Sequence, residues 1–488
     1  MDRKCKIQSV IGCIITLGII IMLLWYSTDL MERKESRLKY ISFFEQEADF
    51  DVLFLGTSHV INGIFPMELW NDYGIVSYNF GGHGNRLATS YWVMENAFDY
   101  TSPKLIVIDC YMLSEPDKIA SDFSHMHSVF DAFPFSKTKV NTVFDLLEME
   151  VQEEEVDIDD SKTFVKQMEL LWDYTIYHNR WNELGEVDFQ PEAEKEKGAE
   201  SRIAVRIPEK KNIISADSKL EEDTISVVYL EKTIQDCQDR GIDILLTYLP
   251  FPADEKEQRE ANRVYDIAER YGVNYINFLD MGIVSRETDY YDNDHLNPSG
   301  AKKVTDYLGQ YILEQYSVPD QRGNKEYNDW YADYADYVED KVSNLRKYES
   351  LDNYLMLLAD KNYSVVVEVN DPMIWHYDSY IHLFENLGVN TSEITENTDF
   401  LVIQEAGRQV ACFENFHESG SHVMTALGEF SLFMSETGDY GVYIDNEELY
   451  TVTSGQNMNT DIRIIVMDKN TAEIVDKRSF SNEGERAK

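Results

Sequence analysis

Apolar residues fall along this chain in two alternating rhythms. Residues 51–55, 76–80 and 105–109 are short apolar runs of strand length, while residues 86–99 carry their apolar positions at helical spacing. The alternation returns with a strand at 242–249, a helix at 255–271, a strand at 273–280 and a helix at 298–315. Short buried strands alternating with helices predict a parallel sheet joined by crossover helices. The fold class is therefore α/β, with one sheet domain written in two pieces. The interruption, about 115–215, has an acidic run at 148–160 and then Trp172, Tyr174, Tyr177, His178 and Trp181. The acids read as a solvated face. The aromatic group is expected to help roof a cleft, because ligands of open α/β sheets bind outside the carboxyl ends of the strands.

Beyond residue 317 the pattern changes again. A polar stretch at 318–326 leads into a Tyr-rich helix at 327–348, and strands at 364–369, 400–404, 441–444 and 462–467 follow, separated by Gly, Asn and Asp turns. This predicts a C-terminal α+β domain.

Residues 7–26 form the longest apolar stretch, twenty residues without a charge. At about 1.5 Å per residue such a helix matches a hydrocarbon core roughly 30 Å thick. A cleaved signal would carry a shorter apolar region ending in small residues, and Trp25-Tyr26 ends this one. The expected organisation is a cytoplasmic tip and transmembrane anchor at 1–30, a sheet domain at 31–317, a helical linker at 318–350 and a β-rich accessory domain at 351–488. Basic residues flank the span on both sides, so orientation N-in, C-out follows from context and not from charge counting. That places the larger part of the protein outside the cell membrane.

A formal charge of -45 argues against nucleic-acid binding, which needs clustered Lys and Arg to neutralise phosphates. Cys5, Cys13, Cys110, Cys237 and Cys412 show no metal-type spacing. His125 and His127, near Asp122 and Asp131, are too sparse to be read as a metal site. The glycines of 81–84 lack the lysine and spacing of a phosphate loop. No metal, nucleotide or other cofactor is expected.

The chemistry concentrates at two motifs. Gly56-Thr57-Ser58-His59 follows the first apolar run, and Asp292-Asn293-Asp294-His295-Leu296-Asn297 precedes the last helix of the sheet domain. A serine hydroxyl becomes a useful nucleophile only with a base beside it. His295 supplies a base, and Asp292, three residues upstream, can orient it. Asn297 can cap a helix whose first residue is Pro298, holding His295 just outside a rigid start. Alternatives stand beside this reading: Thr57 or Ser58 as a plain helix cap, and Asp294 as the orienting acid.

Taken together these motifs resemble the SGNH, or GDSL-like, hydrolase superfamily over roughly residues 48–315. The resemblance implies a three-layer α/β/α fold with Ser58 as nucleophile and Asp292 and His295 completing the triad. It also implies an oxyanion hole: the Ser58 amide, and a glycine of the loop after the second strand, where Gly81 fits best and Gly82 next; a plain glycine turn is the other reading of that loop. The asparagine block the family carries after its third strand is missing, since Ile108-Asp109-Cys110-Tyr111 stands there. Asn85 is the substitute within reach. This departure, the apolar N-terminal helix and the late Asp-x-x-His-Leu-Asn make the chain similar to membrane-anchored envelope proteins of D-alanyl-lipoteichoic acid transfer and alginate O-acetylation.

That resemblance implies a serine-dependent O-acyl transferase or esterase, acetyl being the first choice of acyl group. Its acceptor or substrate would be a cell-surface polysaccharide, with a membrane-bound O-acyltransferase as partner. The other class keeps the fold without the chemistry: an anchored scaffold or glycan-binding protein of envelope assembly. Segments 460–468 and 474–480 faintly resemble the interleukin-like EMT inducer domain, which implies a carbohydrate-binding module. Trp375, His376, Tyr377 and Tyr380 read as buried core aromatics or, on that implication, as its stacking surface.

Overall fold

The computed structural model describes the chain except for residues 1–2, 33, 115–122, 154–159, 173, 192–193, 210–217, 222, 372, 375–376, 395–397, 417–419, 454–460 and 487–488. Asp122, Trp375 and His376 thus lie outside the described residues.

Five parallel strands form the first sheet: β1 (Val52–Leu55), β2 (Ser77–Asn79), β3 (Leu105–Asp109), β4 (Asp243–Tyr248) and β5 (Asn274–Asn277), in the order β2-β1-β3-β4-β5. Every residue of β1 is apolar and buried, as a central strand covered on both faces requires. Val52 and Phe54 join Leu105, Val107 and Leu245 in one core, under the helices Ser58–Gly63, Pro66–Tyr73 and Pro298–Gln315. Leu53 and Leu55 join Ile106, Ile108 and Leu246 in the other, under Leu87–Ala97, Ile225–Arg240 and Glu255–Tyr271. Helices therefore cover both faces of the sheet. Strand order reverses at β1 and β3, and the crevice beyond their carboxyl ends is where open sheets of this kind place their ligands.

Local signals fix the helix ends. Asp254 and Glu257 form a capping box at the start of Glu255–Tyr271, which Gly272 closes at φ 66°. The helix Ile225–Arg240, capped by Thr224 and ended by Gly241, was not anticipated from the sequence.

The N-terminal helix Arg3–Met31 contains one segment, Ile11–Met31, long and apolar enough to cross a membrane. A second helix, Lys34–Phe44, packs on the sheet region: Phe43 sits against Phe50, Tyr78 and Phe80. Its Lys39 donates from Nζ to the Gly81 carbonyl.

The C-terminal region contains two antiparallel sheets. Strands β6 (Tyr363–Val369), β7 (Phe400–Glu405), β8 (Arg408–Glu414), β13 (Ile462–Asp468) and β14 (Ile474–Phe480) form one, in the order β14-β13-β6-β7-β8. Strands β9 (Ser421–Thr425), β10 (Gly428–Met434), β11 (Tyr440–Ile444) and β12 (Glu447–Val452) form the other. Val365 and Val367 face the helices Leu351–Leu358 and Asp378–Asn386, while Val366, Leu401 and Ile465 face Phe430 and Val442 of the second sheet.

Charged groups join this region to the parallel sheet. Lys341 of the helix Asp329–Lys347 donates to buried Glu68 at 2.6 Å, and Lys302 lies 3.6 Å from the same carboxylate. Asn386 donates to the Ser299 hydroxyl at 2.8 Å, at the start of the last helix of the parallel-sheet region.

Candidate active site

The site begins at the end of β1. Gly56 turns the chain with φ 149°, and a Cβ there would lie 2.7 Å from Val60 Cγ2 and 2.9 Å from Asp109 Cβ. Glycine is the residue that both the angle and the space allow. Thr57 then caps the helix Ser58–Gly63, its hydroxyl accepting from the His59 amide at 3.2 Å. Capping by Thr57 leaves the Ser58 hydroxyl for other work.

That hydroxyl meets His295, from the loop before the last sheet-region helix. Ser58 Oγ lies 2.8 Å from His295 Nε2. On the other side of the ring, Nδ1 lies 2.9 Å from both carboxyl oxygens of Asp292. Asp292 Oδ1 also accepts from the His295 amide at 2.8 Å and the Asp294 amide at 2.9 Å. Burial alone would raise the Asp292 pKa, but these amide and imidazole hydrogen bonds outweigh it and hold the carboxyl below its ordinary value. Asp294, the other acid considered, is exposed and supplies its backbone amide instead.

The loop is stiff for visible reasons. Tyr290 bridges Leu296, and the Tyr291 amide donates to the His295 carbonyl at 2.8 Å. Asn297 caps the following helix by accepting from the Ser299 and Gly300 amides, while its own amide nitrogen donates to the Thr288 carbonyl at 2.8 Å. The capped start anticipated at Asn297-Pro298 is present.

The glycine loop differs from expectation. The Gly81 amide donates to the Asn79 side chain at 2.9 Å, and the Gly82 amide to the Gly56 carbonyl at 3.0 Å. Neither amide is left to receive a developing oxyanion in this arrangement, because the Asn79 side chain holds the one and the Gly56 carbonyl the other. Asn85 is buried beside Gly82, and among the described residues neither polar atom of its side chain has a partner. A buried unpaired amide is costly, which marks Asn85 as a side chain of this loop with a donor to spare. Gly84, exposed at φ 74°, has an amide that makes no hydrogen bond among the described residues.

Several neighbours escaped sequence reading. His59 is buried, with ring centroids 4.4 Å from Tyr111 and 4.6 Å from Phe251, and lies edge-on to His295 at 5.8 Å. Burial, with the nearby His295, pushes its pKa down to about 3, so it forms a neutral wall. Asp109, at the end of β3, accepts from the Leu249 amide at 2.9 Å and is pushed up to about 7 by burial. Glu200 pairs with His83 at 3.2 Å and Arg202 at 3.3 Å, and the Arg202 guanidinium lies over the Tyr291 ring. A histidine after a nucleophile motif and a basic residue in a loop carry no distinguishing signal in one sequence.

The aromatic group of the insertion is placed differently from the expected roof. Trp172 Nε1 reaches the Thr28 hydroxyl at 3.3 Å, and Tyr177 donates to Asp131, which also holds His127. These bonds lead to the N-terminal apolar helix and the helix Phe123–Phe130, not to the triad. In the C-terminal region, Tyr377 and Tyr380 pack edge to face with Tyr377 exposed.

No family model matches the chain, and no curated protein matches it. Among solved structures, a Bacteroides fragilis NCTC 9343 protein provisionally described as an acylhydrolase aligns over 58% of this chain and 99% of its own. Identity is 12% and the TM-score 0.27. At those values the likeness carries no weight, and the chemistry rests on the site itself.

Proposed function

We propose that this protein is an extracytoplasmic, SGNH-type serine enzyme that transfers an O-acyl group to a cell-envelope polysaccharide or removes one from it. The observation that carries the reading is the continuous line of hydrogen bonds from Asp292 through His295 to Ser58. In that line the Asp292 carboxylate holds the proton on Nδ1 and leaves Nε2 to accept the serine proton. Ser58 Oγ then adds to the acyl carbonyl, and the imidazolium returns its proton to the departing oxygen. Water or a glycan hydroxyl, deprotonated by the same nitrogen, resolves the acyl-serine. The Ser58 amide and the Asn85 side chain are the groups assigned to the oxyanion, each such donor being worth about 3 kcal/mol. The apolar helix is assigned as the membrane anchor, with the site outside and a membrane-bound O-acyltransferase as the source of acyl groups.

Full-length protein treated with a fluorophosphonate should gain one adduct, on Ser58, and should release acyl groups from a chromogenic ester. Absence of both overturns the enzyme reading. The engaged amides of Gly81 and Gly82 favour one competitor, a scaffold or glycan-binding protein that kept the triad without the chemistry. Ser58→Ala discriminates: a scaffold keeps wild-type surface acylation, and an enzyme loses it.

A further inference from the structure

The insertion carries an apolar surface that the proposed chemistry does not use. On the helix Asp160–Leu171, Phe164, Val165 and Met168 are exposed, and Trp172 follows one residue past its end. Positions i, i+1, i+4 and i+8 fall within an arc of about 100°. Trp181 and Phe189 add further exposed rings, at 70% and 59% of their surface. Solvated aromatic and aliphatic side chains gathered on one segment call for a partner.

The segment's attachment says which partner. Arg180 donates to the carbonyls of Met31 and Glu32 at 2.7 Å each, capping the end of the N-terminal apolar helix, and its guanidinium also pairs with Asp188 at 3.3 Å. Trp181 and Phe189 are thereby pinned beside the end of the membrane-length segment. Trp172 donates to Thr28, three residues before that end, or about 4.5 Å inside it at the helical rise. Trp25 and Tyr26 are exposed on the same helix just below.

We infer that the 160–189 segment is a collar that seats on the bilayer interface around the exit of the anchor, its aromatic rings at headgroup depth. Tryptophan and amphipathic helices favour that zone because it offers an apolar side and a wet side together. A chain of formal charge -45 has little attraction for anionic headgroups, so the surface sought is a neutral, phosphatidylcholine-like interface. The inference rests on the anchor reading and adds that the catalytic region is held close to the membrane at two places.

The test uses the full chain in phosphatidylcholine nanodiscs with and without bromine on the acyl chains. Trp25 reports the anchor, and Trp25→Phe leaves six tryptophans, of which the collar holds two. The Trp25→Phe protein should lose about a third of its emission in brominated discs, two rings in six at interfacial depth. The triple variant Trp25→Phe, Trp172→Phe, Trp181→Phe should lose almost none, with unchanged circular dichroism. Quenching of wild type but not of Trp25→Phe overturns the collar while keeping the anchor, and leaves that face to a protein partner. Wild type unquenched overturns the anchor and the collar together.

Discussion

Replacing Asp292 with Asn tests the triad without disturbing its scaffold. Asp292 Oδ1 accepts two backbone amides, at 2.8 and 2.9 Å, and an asparagine can keep its oxygen there. Its NH2 then faces His295 Nδ1, 2.9 Å from the present Oδ2. A donor in that place forces Nδ1 to accept, so the ring proton moves to Nε2 and points at Ser58, and the base is lost. Losing the tautomer in this way costs about 10^4 in turnover where the acid is buried. The Asp292 side chain is 40% exposed, and water that can reach the ring offsets part of the loss. An expectation of about 10^3 in kcat follows, or ~4 kcal/mol at 1.36 kcal/mol per decade. Initial rates on a chromogenic ester read it, with fluorophosphonate labelling of Ser58 slowing in parallel and the thermal midpoint unchanged. A variant within about tenfold of wild type would refute the assignment of Asp292 as orienting acid.

Other perturbations follow from particular contacts. Gly56→Ala combines an unfavourable φ with contacts under 3 Å, and should cost about 3 kcal/mol, seen as a lower denaturant midpoint. Lys341→Met strips the buried Glu68 carboxylate of a partner at 2.6 Å. With Lys341 itself a quarter exposed, the loss should be about 2–3 kcal/mol, and a midpoint equal to wild type contradicts it. His59 titrates at about 3 when folded and near 6.5 when unfolded, so the unfolded chain binds more protons between those values and stability falls as pH drops from 6.5 toward 3. The cost at pH 5 is ~2 kcal/mol. His59→Phe should flatten that slope in urea midpoints taken at pH 7 and pH 5, and an unchanged slope would rule His59 out as its source. Asn85→Ala, if Asn85 is an oxyanion donor, should lower kcat by about 10^2 with little change in KM.

The parallel sheet and both ends of the site were legible because each was written in local chemistry. Strand β1 is uniformly apolar, Gly56 and Thr57 mark a turn and a cap, and Asn297-Pro298 announces a helix start. The helix Ile225–Arg240 carries the same kind of signal, Thr224 before it and Gly241 after. The strands β8 and β9 bury no residue fully and mix polar with apolar side chains on their half-exposed positions, which leaves weak periodicity. What no local signal reveals is which carbonyl or side chain an amide finds: the capture of the Gly81 amide by Asn79 depends on tertiary packing. The same is true of the aromatic insertion, whose composition fits a cleft roof as well as the flank of an apolar helix.

Ser58 and His295 stand 237 positions apart, and that separation governs when the two side chains can meet. Closing so long a loop costs ~5 kcal/mol of chain entropy, repaid only once every strand between has found its neighbour. A nascent polypeptide therefore carries Ser58 without His295 through about half of its synthesis. Assembly of the Ser58–His295 pair is tied to completion of the sheet, so a product terminated before residue 295 carries the serine without its imidazole.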